Sequence, residues 1–192
     1  MEQKELLVTK LIEEIDMKKS KRLAHHVAFP SISREEISWL VDVAICEDMN
    51  WHSLVRGVHH AMTALVLHER IGATRPGSRE RQLLVLAGDL YSSYFFAELS
   101  KVGEGVLVSL GKTVQRVNEA KCALHEARYS SVEEHALLWL TAEFGVIQGL
   151  SMISGNDWLT EEGQKLIRYK ANELSQETRE LLLSHLAEMA VA

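Results

Sequence analysis

Apolar residues recur at intervals of three and four along nearly the whole chain of 192 residues. This spacing places them on one side of a helix and predicts amphipathic α-helices, whereas strands alternate with a period of two. The chain contains only two prolines, Pro30 and Pro76, and no Asn-Gly or Asp-Gly turn. Such turns are the usual hairpin signal between strands. The pattern therefore predicts an all-α fold, a helical bundle in one domain.

Capping residues and helix breakers divide this pattern into separate helices. Ser33 with Glu36, and Ser131 with Glu134, have the three-residue spacing of a capping box at a helix start. Predicted helices cover residues 2–18, a stretch from 33, 51–72, a stretch containing 83–96, 106–127 and 131–150, and one or two more lie in 160–189, broken near Ser175. We divide the domain into N-terminal helices (1–50), a core (51–150) and C-terminal helices (156–192).

The helix containing residues 83–96, "LLVLAGDLYSSYFF", is apolar on nearly all sides. It is shorter than the roughly 20 residues that cross a bilayer. Two interpretations remain open: a central helix buried on both sides, or a helix with one side covered by another subunit. Asp89 interrupts it, and an isolated buried carboxylate costs several kcal/mol. We therefore expect Asp89 to be paired, as a structural hydrogen bond rather than a substrate contact, with Arg79 and Arg81 as candidate partners.

Charge and cysteine content narrow the function classes. The chain has 21 Lys and Arg against 27 Asp and Glu, a net charge of -6, which argues against general nucleic-acid binding. The short basic run at residues 18–22 is predicted to be a solvated helix end. Cys46 and Cys122 read as small buried hydrophobic residues in a reducing compartment. The N-terminus lacks the features of a signal peptide, so we predict a cytoplasmic protein.

Nine histidines raise the question of a metal site. Helical metal sites use H-x-x-x-H or E-x-x-H spacing, because residues three or four apart share a face. None of the histidines has that spacing, and His59 and His60 are adjacent, so their side chains diverge. The sequence contains no phosphate-binding glycine loop and no G-x-S-x-G nucleophile motif. We predict no metal site and no catalytic residue from local motifs.

Four segments in order carry a resemblance. They are "LVLHERIGA" (65–73), "LLVLAGDLYSS" (83–93), "RVNEAKCAL" (116–124) and "TAEFGVIQGL" (141–150). Over 51–150 the chain resembles the trans-prenyl diphosphate synthases, which implies a truncated form of the isoprenoid synthase fold. His68 matches the histidine of the family's first aspartate motif, and Gly88 and Asp89 match its "LAGD" segment as a structural motif.

Departures from the family pattern fall on the metal-binding positions. The first aspartate motif places carboxylates at three positions, two of them four residues apart on one helix face, where they hold magnesium. Those positions are here Glu69, Arg70 and Ala73. The second aspartate motif is missing, because 151–157 reads "SMISGND". The resemblance therefore implies no cofactor in this chain, with magnesium expected in a catalytic partner.

Within the superfamily, the chain resembles the small, non-catalytic subunits (component 1) of two-component heptaprenyl diphosphate synthases. This implies a subunit that is inactive alone and forms a heterodimer with a catalytic subunit bearing both aspartate motifs (component 2). That complex would extend farnesyl diphosphate with isopentenyl diphosphate for menaquinone side chains. The lipid product is compatible with loose membrane association, although no anchor is visible.

The resemblance also implies roles for individual residues. The helix after the aspartate motif forms the dimer interface in the family, and the growing polyprenyl chain enters an apolar tunnel near it. The candidate partner-interface residues are Leu90, Tyr91, Tyr94 and Phe95. The candidate product-tunnel wall residues are Met62 and Leu65. Ordinary core packing is the competing interpretation for each of these residues.

Two other functions stay open at this level. The chain could be an active synthase with substitute magnesium ligands, for which Glu69, Asp89 and Glu119 are the carboxylates to consider. It could instead be a helical adaptor or sensor unrelated to isoprenoids, since an acidic all-helical chain fits that as well. Turnover by the chain alone would favour the first, and indifference to prenyl synthases the second.

Overall fold

The computed structural model describes residues 2–31 and 33–189, with the side chains of Glu2 and Gln3 excepted. All regular structure in these residues is helical, which confirms the predicted all-α class. The α-helices are α1 (Glu2–Met17), α2 (Lys21–Ala24), α3 (Arg34–Ala44), α4 (Trp51–Ile71), α5 (Arg79–Leu99), α6 (Glu104–His125), α7 (Val132–Ser154), α8 (Glu161–Lys170) and α9 (Gln176–Met189), with a 3-10 turn at Ala171–Glu173.

Helix ends follow the caps that the sequence contains. The hydroxyl oxygen of Ser33 accepts a hydrogen bond from the backbone N–H of Glu36 at 3.2 Å, and Ser131 accepts one from Glu134 at 3.1 Å. Both predicted helix starts are confirmed. Helix α7 continues four residues past its predicted end, to Ser154. Its C-cap is Gly155, whose φ of 75° lies in the left-handed region that glycine adopts without steric penalty. The short helix α2 was not predicted.

The chain divides into two compact units, residues 1–108 and 109–192, with the boundary inside α6. This boundary does not coincide with the divisions at 50 and 150 expected from the sequence. In unit 1, helices α4 and α5 pack against each other along their lengths, and α1 and α3 pack against α4. Its core contains large, fully buried side chains such as Trp39, Leu54 and Tyr91.

Unit 2 is built around the apolar helix α7. Gly145 and Gly149 let α6 approach closely, because a Cβ at these positions would lie 2.8 Å from a methyl of Val117 and 2.7 Å from the side chain of Thr113. Helix α9 packs on another part of α7. By length and apolarity α7 could cross a bilayer, but 56% of its most apolar stretch is buried within its own chain.

The cysteines depart from the prediction. Cys122 is exposed and Cys46 is half-buried, so neither is the fully buried small hydrophobic residue that was expected. Cys122 has apolar neighbours in sequence, but its position on α6 faces away from the side that meets α7. Periodicity along one helix cannot show which of its sides a neighbouring helix covers.

Candidate partner interface and degenerate motif

Helix α5 has two apolar faces with different surroundings. Its inner face is buried within unit 1 and comprises Leu84, Ala87, Gly88, Tyr91, Phe95, Glu98 and Leu99. Its outer face comprises Val85, Leu86, Asp89, Ser93 and Phe96. On the outer face Val85 is 38% exposed, Leu86 57% and Phe96 53%. The interpretation of α5 as a helix buried on both sides within its own chain is therefore wrong, and an apolar face stays open to solvent.

The four residues suggested for a partner interface lie mainly on the other side of α5. Tyr91 is 1% exposed and Phe95 3%, while Leu90 and Tyr94 are half-buried. The Tyr91 ring contacts the rings of Phe29, His60 and Tyr94, all in unit 1. Tyr91 and Phe95 are therefore core residues of this chain, and a partner cannot reach them in this conformation. The exposed large apolar side chains of α5 lie on the outer face instead.

The positions that the resemblance matches to the first aspartate motif lie at the end of α4. Glu69 and Arg70 are exposed in its last turn, and the helix ends at Ile71 with Gly72 as its C-cap. Ala73 lies beyond the helix, so positions 69 and 73 do not share a helical face as two magnesium ligands would. The Arg70 guanidinium donates a hydrogen bond to the backbone carbonyl of Ala28. This arginine holds a neighbouring loop in place.

The positions that match the family's histidine and "LAGD" segment form a contact between α4 and α5. His68 Nε2 lies 3.5 Å from Asp89 Oδ1, and the Asp89 side chain is 66% exposed. The expected burial of Asp89 is therefore wrong, and its partner is His68. Arg81 instead donates to the carbonyl of Ile71 at 2.8 Å. A Cβ on Gly88 would lie only 2.1 Å from His68 Nε2, so the imidazole packs directly on the glycine backbone.

The suggested tunnel-wall residues lie on α4. Leu65 is 6% exposed and Met62 is half-buried. Two surface cavities of about 550 and 310 Å³ are present in unit 2, lined by residues of α6 and of α7 and α9, and neither includes Met62 or Leu65. Their role in a product tunnel stays a prediction.

A buried carboxylate that the sequence reasoning missed ties three helices together. Glu98, 1% exposed, accepts hydrogen bonds from Lys18, from Arg56 at 3.2 Å and from Lys101 at 3.0 Å. Arg56 also binds Glu14 at 2.6 Å. Burial alone would raise the pKa of Glu98, but the hydrogen bonds from Lys18 and Lys101 and the charge of Arg56 lower it to about 2. The sequence did contain a signal for the burial of Glu98, because this residue follows Phe95 by three positions and therefore lies on the same inner face of α5.

Two neighbouring histidines lie beside this cluster. His60 is fully buried, with ring centroids 5.5 Å from Tyr91 and 5.4 Å from Tyr94, and neither of its nitrogens has a hydrogen-bond partner. Burial lowers the pKa of His60 to about 3 and that of His59 to about 4. Both imidazoles are therefore neutral at pH 7 and pack as aromatic groups.

No cluster of three or more His, Cys, Asp or Glu side chains is placed to hold a metal ion within 2–31 and 33–189. Glu69 and Asp89, two of the three carboxylates considered as substitute ligands, are both on unit 1, and Asp89 contacts His68. The site therefore consists of the exposed apolar outer face of α5, a helix whose inner face packs against α4.

Comparison with known proteins points to one family. A model of the family described as heptaprenyl diphosphate synthase (HEPPP synthase) subunit 1 matches residues 21–159. The heptaprenyl diphosphate synthase component 1 of Geobacillus stearothermophilus is 34% identical over 91 residues, which are 47% of this chain and 39% of that relative. The match thus spans about two fifths of the relative's length. No solved structure matches the sequence. Because the family match covers well over half of the chain, this protein belongs to the heptaprenyl diphosphate synthase subunit 1 family.

Proposed function

We propose that this chain is the non-catalytic subunit of a two-component heptaprenyl diphosphate synthase and docks on a catalytic subunit through the outer face of α5. The observation that carries the proposal is the exposure of Val85, Leu86 and Phe96 on a helix that is otherwise well packed. Apolar surface of this kind marks protein interfaces. Membership of a family described as subunit 1 supports the proposal that this chain assembles with a second subunit.

The chemistry would belong to the partner. Magnesium needs several oxygen ligands in near-octahedral geometry, and the motif positions here carry one carboxylate, Glu69, next to the cation of Arg70. A guanidinium repels a divalent cation. The catalytic subunit, bearing both aspartate motifs, would bind magnesium, farnesyl diphosphate and isopentenyl diphosphate. This chain alone would make no product.

The contribution of this chain would be to complete and shape its partner. The contact of His68 with Gly88 and Asp89 holds α4 against α5, so the outer face is presented on a fixed helix pair. A rigid surface loses little conformational entropy when it binds. Met62 and Leu65 on α4 would line the far end of the product tunnel, where side-chain volume sets the length of the polyprenyl chain for menaquinone.

Reconstitution tests this proposal. This chain, the catalytic subunit and their mixture each receive farnesyl diphosphate, labelled isopentenyl diphosphate and magnesium, and the products are separated by length. Long-chain product from the mixture alone is the expected result. Activity of the catalytic subunit that is unchanged in rate and length by this chain would refute it and leave the adaptor interpretation. Turnover by this chain alone would show an active enzyme.

A further inference from the structure

Positive charge is concentrated in two segments that are far apart in sequence. Residues 20–31 and 70–81 together hold six Lys and Arg and one acidic residue, Glu80, a net charge of +5 in a chain of -6. We call these two segments the basic surface. Its cationic residues are Lys21, Arg22, Arg70, Arg75, Arg79 and Arg81. The remaining residues of the chain therefore carry a strong excess of negative charge.

The fold brings the two segments together on unit 1. Arg70, from one segment, donates a hydrogen bond to the carbonyl of Ala28 in the other. Val27 packs in one buried cluster with Leu67 and Leu84, on the helices that flank the 70–81 segment. The basic surface is thus a single feature made by tertiary packing and not two unrelated charged loops.

Most of its cations are free to bind a ligand. Lys21, Arg22, Arg75 and Arg79 are exposed, and the ion pairs in the described part of unit 1 involve none of them. Arg70 and Arg81 donate to backbone carbonyls, which are uncharged, so both keep their positive charge. Glu69 borders the surface, and counting it still leaves a net charge of +4.

The composition of this surface suits phosphate groups. Five of its six cations are arginines, whose planar fork of N–H donors matches phosphate oxygens. None of the large exposed apolar side chains in the described part of the chain falls within either segment. Protein interfaces have an apolar centre, whereas a layer of lipid headgroups needs only charge.

We propose that the basic surface docks this protein on the anionic phospholipid headgroups of a membrane. Clusters of four to eight Lys and Arg bind acidic lipids in this way, and the attraction falls with ionic strength. The proposal goes beyond the proposed synthase function and does not depend on it. If both hold, a polyprenyl product would be released beside the bilayer that receives it.

Vesicle flotation of the full chain tests the proposal. We expect binding to vesicles of phosphatidylcholine with phosphatidylglycerol, loss of binding in high salt, and no binding to phosphatidylcholine alone. Arg75→Glu with Arg79→Glu should weaken binding at least about tenfold. The matched control is Lys112→Glu with Arg168→Glu, the same change of charge at exposed positions of unit 2, which should change binding less than about twofold. Circular dichroism confirms that each variant is folded, and Arg75→Gln with Arg79→Gln repeats the test with a smaller change.

Several outcomes would overturn the proposal. Equal binding to neutral and anionic vesicles would assign membrane contact to apolar residues. Absence of binding to both kinds of vesicle would refute membrane docking. An equal loss of vesicle binding in both double variants would show that the net charge of the chain, and not the basic surface, determines binding. If charge reversal weakened binding to the catalytic subunit and left vesicle binding unchanged, the occupant would be an acidic protein surface. Product synthesis from water-soluble substrates without vesicles tests the synthase function separately, so the two failures are distinguishable.

Discussion

On helix α5, Leu84 and Tyr91 of the inner face lie against α4 with 5% and 1% exposure, while Leu86 and Phe96 of the outer face are more than half exposed. The two faces have similar apolar content. They differ in the contacts that accompany it: the inner face also holds Gly88 against His68 and Glu98 among three cations. Specific polar and close-packed contacts accompany the face that the chain covers itself, and the apolar face with fewer of them is the one that we propose for the partner.

Truncation of one large side chain on each face tests this comparison directly. Tyr91→Ala should lower the free energy of unfolding by about 3–5 kcal/mol, because it leaves a cavity in the core. Leu86→Ala should change it by no more than about 0.5 kcal/mol, since the side chain is already exposed. Urea unfolding of the isolated chain measures both. Equal losses would mean that the outer face is covered within the chain after all.

The second-largest effect concerns pH: acid should lower the stability of unit 1, because His60 is buried on its inner side. His60 has a pKa of about 3 in the folded protein, below its ordinary value of 6.5, so its contribution to stability is complete above pH 6.5 and is lost as pH falls towards 3. At pH 4.5 the loss from His60 should be about 3 kcal/mol. His60→Phe, which keeps the aromatic packing, should remove this part of the pH dependence in urea unfolding between pH 4.5 and 6.5.

Between pH 4.5 and 6.5 the loss of stability comes from the histidines and not from the buried carboxylate of Glu98. Glu98 contributes stability above its ordinary pKa of 4.5 and loses it only as pH falls below that value towards about 2. His52→Phe serves as the control, because His52 is half-buried and its pKa is lowered, mainly by burial, to a lesser degree. If His60→Phe followed the pH profile of the unaltered chain, the imidazole would not be held neutral by burial.

The outer face should matter for association and not for folding. Leu86→Glu should weaken binding to the catalytic subunit by about 2 kcal/mol, the scale of an interface hot spot, and leave the unfolding midpoint of the isolated chain nearly unchanged. Leu137→Glu is the matched control, since Leu137 is 49% exposed on unit 2. Titration calorimetry or gel filtration of the mixture measures the effect. An equal loss in both variants would move the interface away from α5.

The smallest effect is expected at the edge between the two faces. Asp89→Asn should cost less than about 1 kcal/mol of unfolding free energy, because its contact with His68 is solvent-exposed and such pairs contribute little. Gly88→Ala should cost more, about 1–3 kcal/mol, because its Cβ would displace the His68 ring. If Asp89→Asn instead abolished product synthesis in the reconstituted mixture without a change in stability, Asp89 would have a substrate role.

Helix boundaries were the part of the fold that local chemistry could predict. Ser33 and Ser131 cap the helices that follow them, and Gly72 caps the end of α4. Each of these signals acts within four residues of chain, so the local sequence was enough to place it. The resemblance also places Arg70 and Ala73 at two positions where the synthase motif has carboxylates, and the lack of a magnesium site there stays a prediction.

Prediction failed wherever the partner of a residue lies far along the chain. Asp89 was expected in a buried helix with Arg79 and Arg81 as candidate partners, and Tyr91 was a candidate for the partner interface, with core packing as the competing interpretation. When both sides of a helix are apolar, the sequence pattern does not show which side the rest of the chain covers. The cations that surround Glu98 come from just past the end of α1, from α4 and from just past the end of α5, so no local motif contains all of them.

The sequence by itself determined the helical class, most helix boundaries and the family resemblance, since all of these depend on which residues stand close together along the chain. Only the tertiary structure decided which face of α5 stays exposed, that His68 contacts Gly88 and Asp89, and that residues 20–31 join 70–81 in one basic surface. These properties depend on packing between helices, where contacts between distant residues add up to the outcome and no single segment specifies it.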